Sequence, residues 1–96
     1  MTIQEKEEKF KNIIKSAIEQ FGSLNKTAEA MGVDSAYLSR RLNPNSHNEF
    51  KTPPRPNMLR KIANVCNVDY VTLMWLCGYF SDDEYSVYID NKYKKV

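Results

Sequence analysis

The spacing of apolar residues is the feature that most constrains the fold of this 96-residue chain. Over the first twenty-one residues, apolar side chains recur every three or four positions, with lysine and glutamate on the other face. That period is typical of an amphipathic helix, and it returns in four later segments. No alternating strand pattern is found before residue 85. The sequence therefore predicts an all-α domain of about five short helices, residues 1–80, followed by a C-terminal extension, residues 81–96.

The predicted helices are separated by glycines and by residues that cap helices. Gly22, Gly32 and Gly78 are the only glycines, and each follows a helical segment. Glycine ends helices because it adopts positive φ without a steric penalty. Gly32 is the most informative of the three, since helix-forming sequence stops there and resumes two residues later. Side chains that accept a hydrogen bond at a helix start are predicted at Ser23, Asp34, Asp69 and Ser81.

The distribution of charge is more informative than the net value of +2. The first twenty-one residues carry four lysines and four glutamates. Residues 26–61 carry seven basic and three acidic residues. Positive charge is therefore concentrated around Gly32.

Other features narrow the class of protein. No apolar run approaches the length of a membrane span, and the first ten residues are too charged for a secretory leader. Cys66 and Cys77 lie in apolar helical patterns and are interpreted as buried, reduced thiols. We therefore expect a cytoplasmic protein with no metal site and no cofactor. The sequence has no nucleophile–base spacing, paired acid site or phosphate-binding glycine loop, so an enzyme is not expected.

The residues around Gly32 match the pattern of a helix-turn-helix. A small residue, Ala28, precedes the glycine by four positions, and Val33 and Leu38 are placed to fill the space between two helices. The stretch FGSLNKTAEAMGVDSAYLSRRL resembles the helix-turn-helix of the lambda-repressor/Cro-like family of bacterial and phage DNA-binding domains, also called the XRE family. RPNMLRKIANVCNVDYVTLMWLCGY resembles the fourth and fifth helices of that family. The resemblance covers residues 21–79.

The resemblance implies a division of contacts on duplex DNA. In the family, the helix after the glycine turn enters the major groove and presents its first half to base edges. Here Leu38 and Leu42 define the buried side of that helix, so the opposite side faces the bases. Arg40 is the strongest candidate because a guanidinium binds guanine O6 and N7 together. The expected base contacts are Ser35, Ala36, Ser39 and Arg40. The expected contacts to the phosphate backbone are Ser23, Asn25, Lys26, Tyr37, Arg41, Lys51 and Arg55.

The sequence departs from the family pattern in two places. Leu24 stands where the family often has glutamine, which removes one expected phosphate contact. The link between the third and fourth helices, residues 43–56, contains all four prolines and is much longer than is usual in the family. It is predicted to be a loop. His47 within it has no neighbouring ligand set and is interpreted as a solvated loop residue.

The fifth helix is more apolar than one core face requires. Its core stripe consists of Tyr70, Leu73, Leu76 and Cys77. Val71, Met74 and Trp75 make the remaining surface apolar, and a helix that is apolar all round needs a second partner. That partner is either another copy of the protein, with these three residues as the dimer interface, or the C-terminal extension. The extension is compatible with a helix or a strand, and the capping-box spacing of Ser81 and Glu84 favours a helix. It is also a candidate dimerisation element.

These features lead to two alternative functions. The first is a sequence-specific transcriptional regulator, a homodimeric repressor of phage or mobile-element type that binds an inverted-repeat operator in double-stranded DNA. The second is a protein-binding module on the same fold, such as an antitoxin or an inhibitor of another protein, for which Trp75 and the aromatic tail matter most. Neither involves a small-molecule substrate. The dependence of affinity on salt concentration distinguishes the two functions. The affinity of a DNA-binding protein falls steeply as salt rises, whereas the affinity of an apolar protein interface hardly changes.

Overall fold

The computed structural model describes residues 1–43 and 53–93. Within these ranges all regular structure is helical, and no strand is present. The helices are α1 (Ile3–Phe21), α2 (Leu24–Met31), α3 (Ser35–Leu42), α4 (Pro56–Cys66), α5 (Tyr70–Leu76) and α6 (Asp82–Tyr93). The predicted all-α class is confirmed, and so is the helix favoured over a strand in the C-terminal extension. No helix in the described ranges is long and apolar enough to cross a lipid bilayer.

Several helices begin or end at residues that the sequence indicated, although α5 ends at Leu76, two residues before the predicted Gly78. Ser23, Asp34 and Asp69 accept backbone hydrogen bonds at the starts of α2, α3 and α5, at distances of 3.1, 3.0 and 2.8 Å. Gly22 and Gly32 end α1 and α2 with φ of 95° and 71°. A Cβ atom added at position 32 would have no other atom within 4 Å, apart from those of the two adjoining residues. The glycine is therefore required by its backbone conformation and not by lack of space.

α1 to α5 share one hydrophobic core. α1 packs against each of the other four helices, and α2 packs against both α3 and α4. The predicted inward-facing residues that are buried in this core include Phe10, Ile14, Ala28, Met31, Leu38, Leu59, Ile62 and Leu73. Each large apolar side chain contributes about 1.5–3 kcal/mol when it is removed from water. The core therefore fixes α3 against α1 and α2 and leaves its other side open.

In the described part of the chain, α6 packs against α5 and covers Trp75, and it also contacts α1 through the ion pair between Lys6 and Asp82. The indole ring stacks on the ring of Tyr85 with centroids 4.1 Å apart, and only 9% of Trp75 is exposed. Trp75 is therefore not exposed on the single chain, whereas the predicted dimer interface of Val71, Met74 and Trp75 concerns two copies and stays a prediction. The other predicted arrangement, in which the C-terminal extension folds back over the fifth helix, is the one observed. Val71 and Met74 are half-buried.

Candidate nucleic-acid interface

Two short helices joined by a tight turn form the centre of the candidate interface. α2 and α3 have eight residues each, and a turn of three residues connects them. The turn is fixed from within, since the Val33 N–H donates to the Ala28 carbonyl oxygen at 3.0 Å. α4 supports it from outside, because the Lys61 ammonium donates to the Gly32 carbonyl oxygen at 3.5 Å. A cation beside the last carbonyls of α2 also interacts favourably with the helix dipole.

α3 presents one side to the core and the opposite side to solvent. Leu38 is completely buried, whereas Ala36 and Arg40 are exposed. Ser35 and Ser39 are half-exposed at the border of this open face. Within the described residues, no hydrogen bond or ion pair holds the Arg40 guanidinium. All four residues predicted to contact bases are therefore accessible from solvent, and Arg40 is the most accessible polar group among them.

The Tyr37 side chain supports Arg41 and does not reach outward. The guanidinium carbon of Arg41 lies 5.2 Å from the centre of the Tyr37 ring, a cation–π arrangement. The Tyr37 hydroxyl oxygen is buried. Burial raises the pKa of this phenol, and the neighbouring Arg41 side chain partly offsets the rise. The predicted contact between Tyr37 and a phosphate disagrees with this placement, because the chain encloses the hydroxyl group.

A cleft beside α3 brings a second arginine close to Arg41. The residues that line it are Tyr37, Arg41, Pro53, Pro54, Arg55, Asn57 and Met58. The Tyr79 hydroxyl donates to the Pro54 carbonyl oxygen at 2.8 Å and so anchors the wall that carries Arg55. Two guanidinium groups on one small cleft attract an anion such as a phosphate. No sequence pattern indicated this role for Tyr79, because a contact between residues 25 positions apart has no local signature.

The start of α2 carries the remaining predicted backbone contacts within the described residues. Asn25 and Lys26 are exposed in its first turn. The Ser23 hydroxyl oxygen accepts from the Lys26 N–H at 3.1 Å, which leaves the hydroxyl proton available to a phosphate oxygen. Lys51 and His47 lie outside the described residues. The candidate phosphate contacts therefore come from two places, the start of α2 and the cleft beside α3.

Cys66 and Cys77 do not offer reactive thiols. Burial raises the pKa of Cys66 to about 11 and that of Cys77 to about 12. Both therefore stay protonated at neutral pH, whereas the thiolate is the form that attacks a substrate or binds a metal. In the ranges that the structure covers, no group of three histidine, cysteine, aspartate or glutamate side chains comes together as metal ligands.

Comparisons with protein-family models, with curated proteins and with solved structures give no significant match. The resemblance to the XRE family is thus one of sequence pattern, carried by the motif around Gly32 and by residues 55–79.

Proposed function

We propose that this protein is a sequence-specific DNA-binding regulator of transcription, a homodimeric repressor of phage or mobile-element type. In this proposal α2 and α3 act as a helix-turn-helix within a five-helix, lambda-repressor-like domain formed by residues 1–80. The observation that carries the proposal is the exposed Arg40 on the open face of α3, opposite the buried Leu38.

α3 is the element that reads the sequence. It lies in the major groove, whose width of about 12 Å admits a helix. The Arg40 guanidinium donates to O6 and N7 of one guanine, and the Ala36 methyl group contacts a thymine methyl group. Ser35 and Ser39 donate to several bases or to a phosphate, so they specify less. Discrimination rests mainly on Arg40, since a bidentate contact of this kind contributes about 1–3 kcal/mol.

Contacts to phosphates hold α3 in register along the duplex. Asn25, Lys26 and the free N–H groups of the first turn of α2 donate to one phosphate group. Arg41 and Arg55 bind another at the cleft beside α3, with Arg41 supported by the Tyr37 ring. These contacts carry no sequence information, but each neutralised phosphate releases counterions. Affinity should therefore fall steeply as the salt concentration rises.

Selection of bound duplexes from a random library tests this proposal. A single small domain makes few contacts, so we expect two copies on an inverted repeat whose half-sites lie about 10 base pairs apart. Arg40→Ala is the matched variant, and its selected sites should lose one guanine preference. The proposal fails if no sequence is enriched and the affinity for duplex DNA stays constant between about 50 and 200 mM salt.

The alternative function, a protein-binding module, depended on Trp75 as an exposed anchor. Trp75 is stacked on Tyr85 and buried under α6, so the surface on which that alternative rested is already covered. The open face of α3 carries Arg40, and the cleft beside α3 carries Arg41 and Arg55 among its apolar lining residues. Three guanidinium groups on these two surfaces suit a polyanion better than an apolar protein surface.

A further inference from the structure

α5 and α6 are joined by a ladder of polar contacts that runs along both helices. Three side chains at or near α5, spaced three residues apart, each bond to a side chain on α6. Asp69 accepts from Tyr88 at 2.7 Å and from Lys92, and the hydroxyl groups of Thr72 and Tyr85 are 2.8 Å apart. The third rung joins the Trp75 N–H to an Asp82 carboxylate oxygen at 2.8 Å. Because positions rise along α5 as they fall along α6, the two helices are antiparallel and every rung has a specific partner.

This ladder specifies which segment covers α5. An indole N–H that is buried needs an acceptor, and Asp82 on α6 supplies it. If the α5 face of a second copy covered Trp75 instead, the N–H, the Thr72 hydroxyl and the Asp69 carboxylate would all lose these α6 partners. The surface is therefore complementary to α6 itself, from the same chain or from another copy.

α6 is also the described helix that contributes least to the buried core. None of its residues is buried, and no residue of α6 belongs to the fully buried core. Its link to α5 reverses direction at Gly78, which has a φ of 89°. Releasing α6 requires a change at this turn and loss of the ladder, while the core of α1 to α5 stays closed.

We propose that α6 exchanges between two copies of the chain, each α6 docking on the α5 of the other copy. An exchanged dimer contains every rung of the ladder twice, and so do two closed monomers. The stability of the dimer relative to the monomers therefore depends on the turn at Gly78 and on the protein concentration. The exchange rests on the proposed function only in providing the homodimer that an inverted repeat requires. Both experiments below measure dimers without DNA, so the exchange and DNA binding are tested separately.

A pair of charge reversals detects the exchange directly. The Lys6 ammonium on α1 lies 2.8 Å from an Asp82 carboxylate oxygen on α6; the Lys6 side chain is 15% exposed and the Asp82 side chain 57% exposed. In Lys6→Glu alone or Asp82→Lys alone, like charges meet in the closed monomer and in the exchanged dimer equally, so the dimer dissociation constant should stay near that of the parent. In a mixture, the exchanged heterodimer pairs the new glutamate with the new lysine at one contact and keeps the native pair at the other.

Sedimentation equilibrium of the two variants, separately and after equilibration together, gives the result. We expect the mixture to dimerise about tenfold more tightly than either variant alone, since two charge contacts change from unfavourable to favourable. A mixture that behaves as the average of its components overturns the proposal. The proposal is also overturned if both the parent protein and the mixture remain monomeric at all concentrations.

The turn at Gly78 provides a second test with a matched control. A Cβ atom at position 78 or at position 22 would meet nothing within 4 Å beyond the adjoining chain, and both glycines have positive φ. Gly78→Ala strains the closed monomer, and opening the turn in the exchanged dimer relieves that strain. Gly22→Ala introduces the same strain at a turn that the exchange leaves intact. Gly78→Ala should tighten the dimer by about tenfold and Gly22→Ala should leave it unchanged; equal dissociation constants for the two variants contradict the exchange.

Discussion

The open face of α3 and the face of α5 beneath α6 use polar side chains in opposite ways. On α3, Arg40 is exposed and has no partner among the described residues. On the α5 side, Asp69, Thr72 and Trp75 are each bonded to α6. Both helices have the polar or aromatic residues that suggest a binding surface. Only α3 still offers them to another molecule, because the chain itself occupies the α5 face.

The two regions also differ in how they are held. α3 is fixed by Leu38, which is completely buried in the core, whereas α6 has no buried residue. Side-chain contacts at the surface contribute less than burial, and charged ones depend on pH and salt. α6 should therefore be the separable element and α3 the rigid one. The following predictions test this difference, from the largest expected effect to the smallest.

Trp75→Ala should have the largest effect, because it removes the stack on Tyr85 and the bond to Asp82 together. We expect the free energy of unfolding to fall by about 3 kcal/mol or more, as for other buried tryptophans. Urea denaturation followed by far-ultraviolet circular dichroism measures this loss. Tyr93→Ala is the control, since Tyr93 is also aromatic, lies on α6 and is 67% exposed. If the two variants are equally stable, α6 does not cover Trp75 in solution.

Gly32→Val should destabilise the α2–α3 turn by about 2 kcal/mol. The φ of 71° is unfavourable for a β-branched residue, and the loss reports the backbone conformation alone because the site has room for a side chain. Gly32→Asn is the matched control, since asparagine tolerates left-handed backbone, and it should lose less than half as much. Thermal melting that shows Gly32→Val as stable as the parent would contradict the turn that orients α3.

Much of the fold was predictable because its signals lie within a few residues of each other. Gly22 and Gly32 end helices through their own backbone conformation. The capping box at the start of α6 is equally local, since the Ser81 N–H donates to the Glu84 carboxylate at 2.9 Å and the Glu84 N–H to the Ser81 hydroxyl at 3.1 Å. Helical spacing likewise placed Arg40 opposite Leu38.

The rest depends on contacts between distant parts of the chain, which leave no periodic pattern. An apolar excess at Trp75 indicated that something covers α5, but the bond to Asp82 decides that α6 does. Tyr37 lies on the flank of α3 by spacing, yet packing encloses its hydroxyl group. Arg55 and Arg41 line one cleft, and the distant Tyr79 bonds to Pro54, the residue before Arg55. Sequence patterns thus locate faces of helices, and tertiary packing decides which faces remain open.

The variants Arg40→Ala on α3 and Lys26→Ala on α2 distinguish base recognition from phosphate binding. On its preferred duplex, Arg40→Ala should lose about 1.5 kcal/mol of binding free energy and relax discrimination at one base pair. Lys26→Ala should weaken binding to all sequences about equally and flatten the dependence on salt. Competition binding against single-substitution duplexes at two salt concentrations measures both. Equal losses with unchanged discrimination in the two variants would remove the proposed division of roles.

Acid should loosen α6, because two carboxylates hold it in place. Burial raises the pKa of Asp69, but hydrogen bonds from Lys92 and Tyr88 outweigh it, so the pKa lies below its ordinary value. The hydrogen bond from Lys6 lowers the pKa of Asp82. Both groups ionise more readily when α6 is docked than when it is released. Their contribution is complete above the ordinary aspartate pKa of about 3.9 and is lost as the pH falls through the lowered values.

The fluorescence of Trp75, the single tryptophan, reports whether α6 is docked. On acidification from neutral pH to below about pH 4, the emission should shift toward that of an exposed indole before the helical signal of α1 to α5 is lost. Asp69→Asn is the matched variant: its side-chain oxygen still caps α5, but it has no charge to lose. It should hold α6 more weakly at neutral pH and show a smaller change with acid. Fluorescence transitions that coincide in the parent and in Asp69→Asn would mean that this carboxylate does not hold α6. The charge of Asp69 would then not contribute to holding α6, and the main contacts left to hold α6 would be the stack of Trp75 on Tyr85 and the bonds of Asp82 to Trp75 and Lys6.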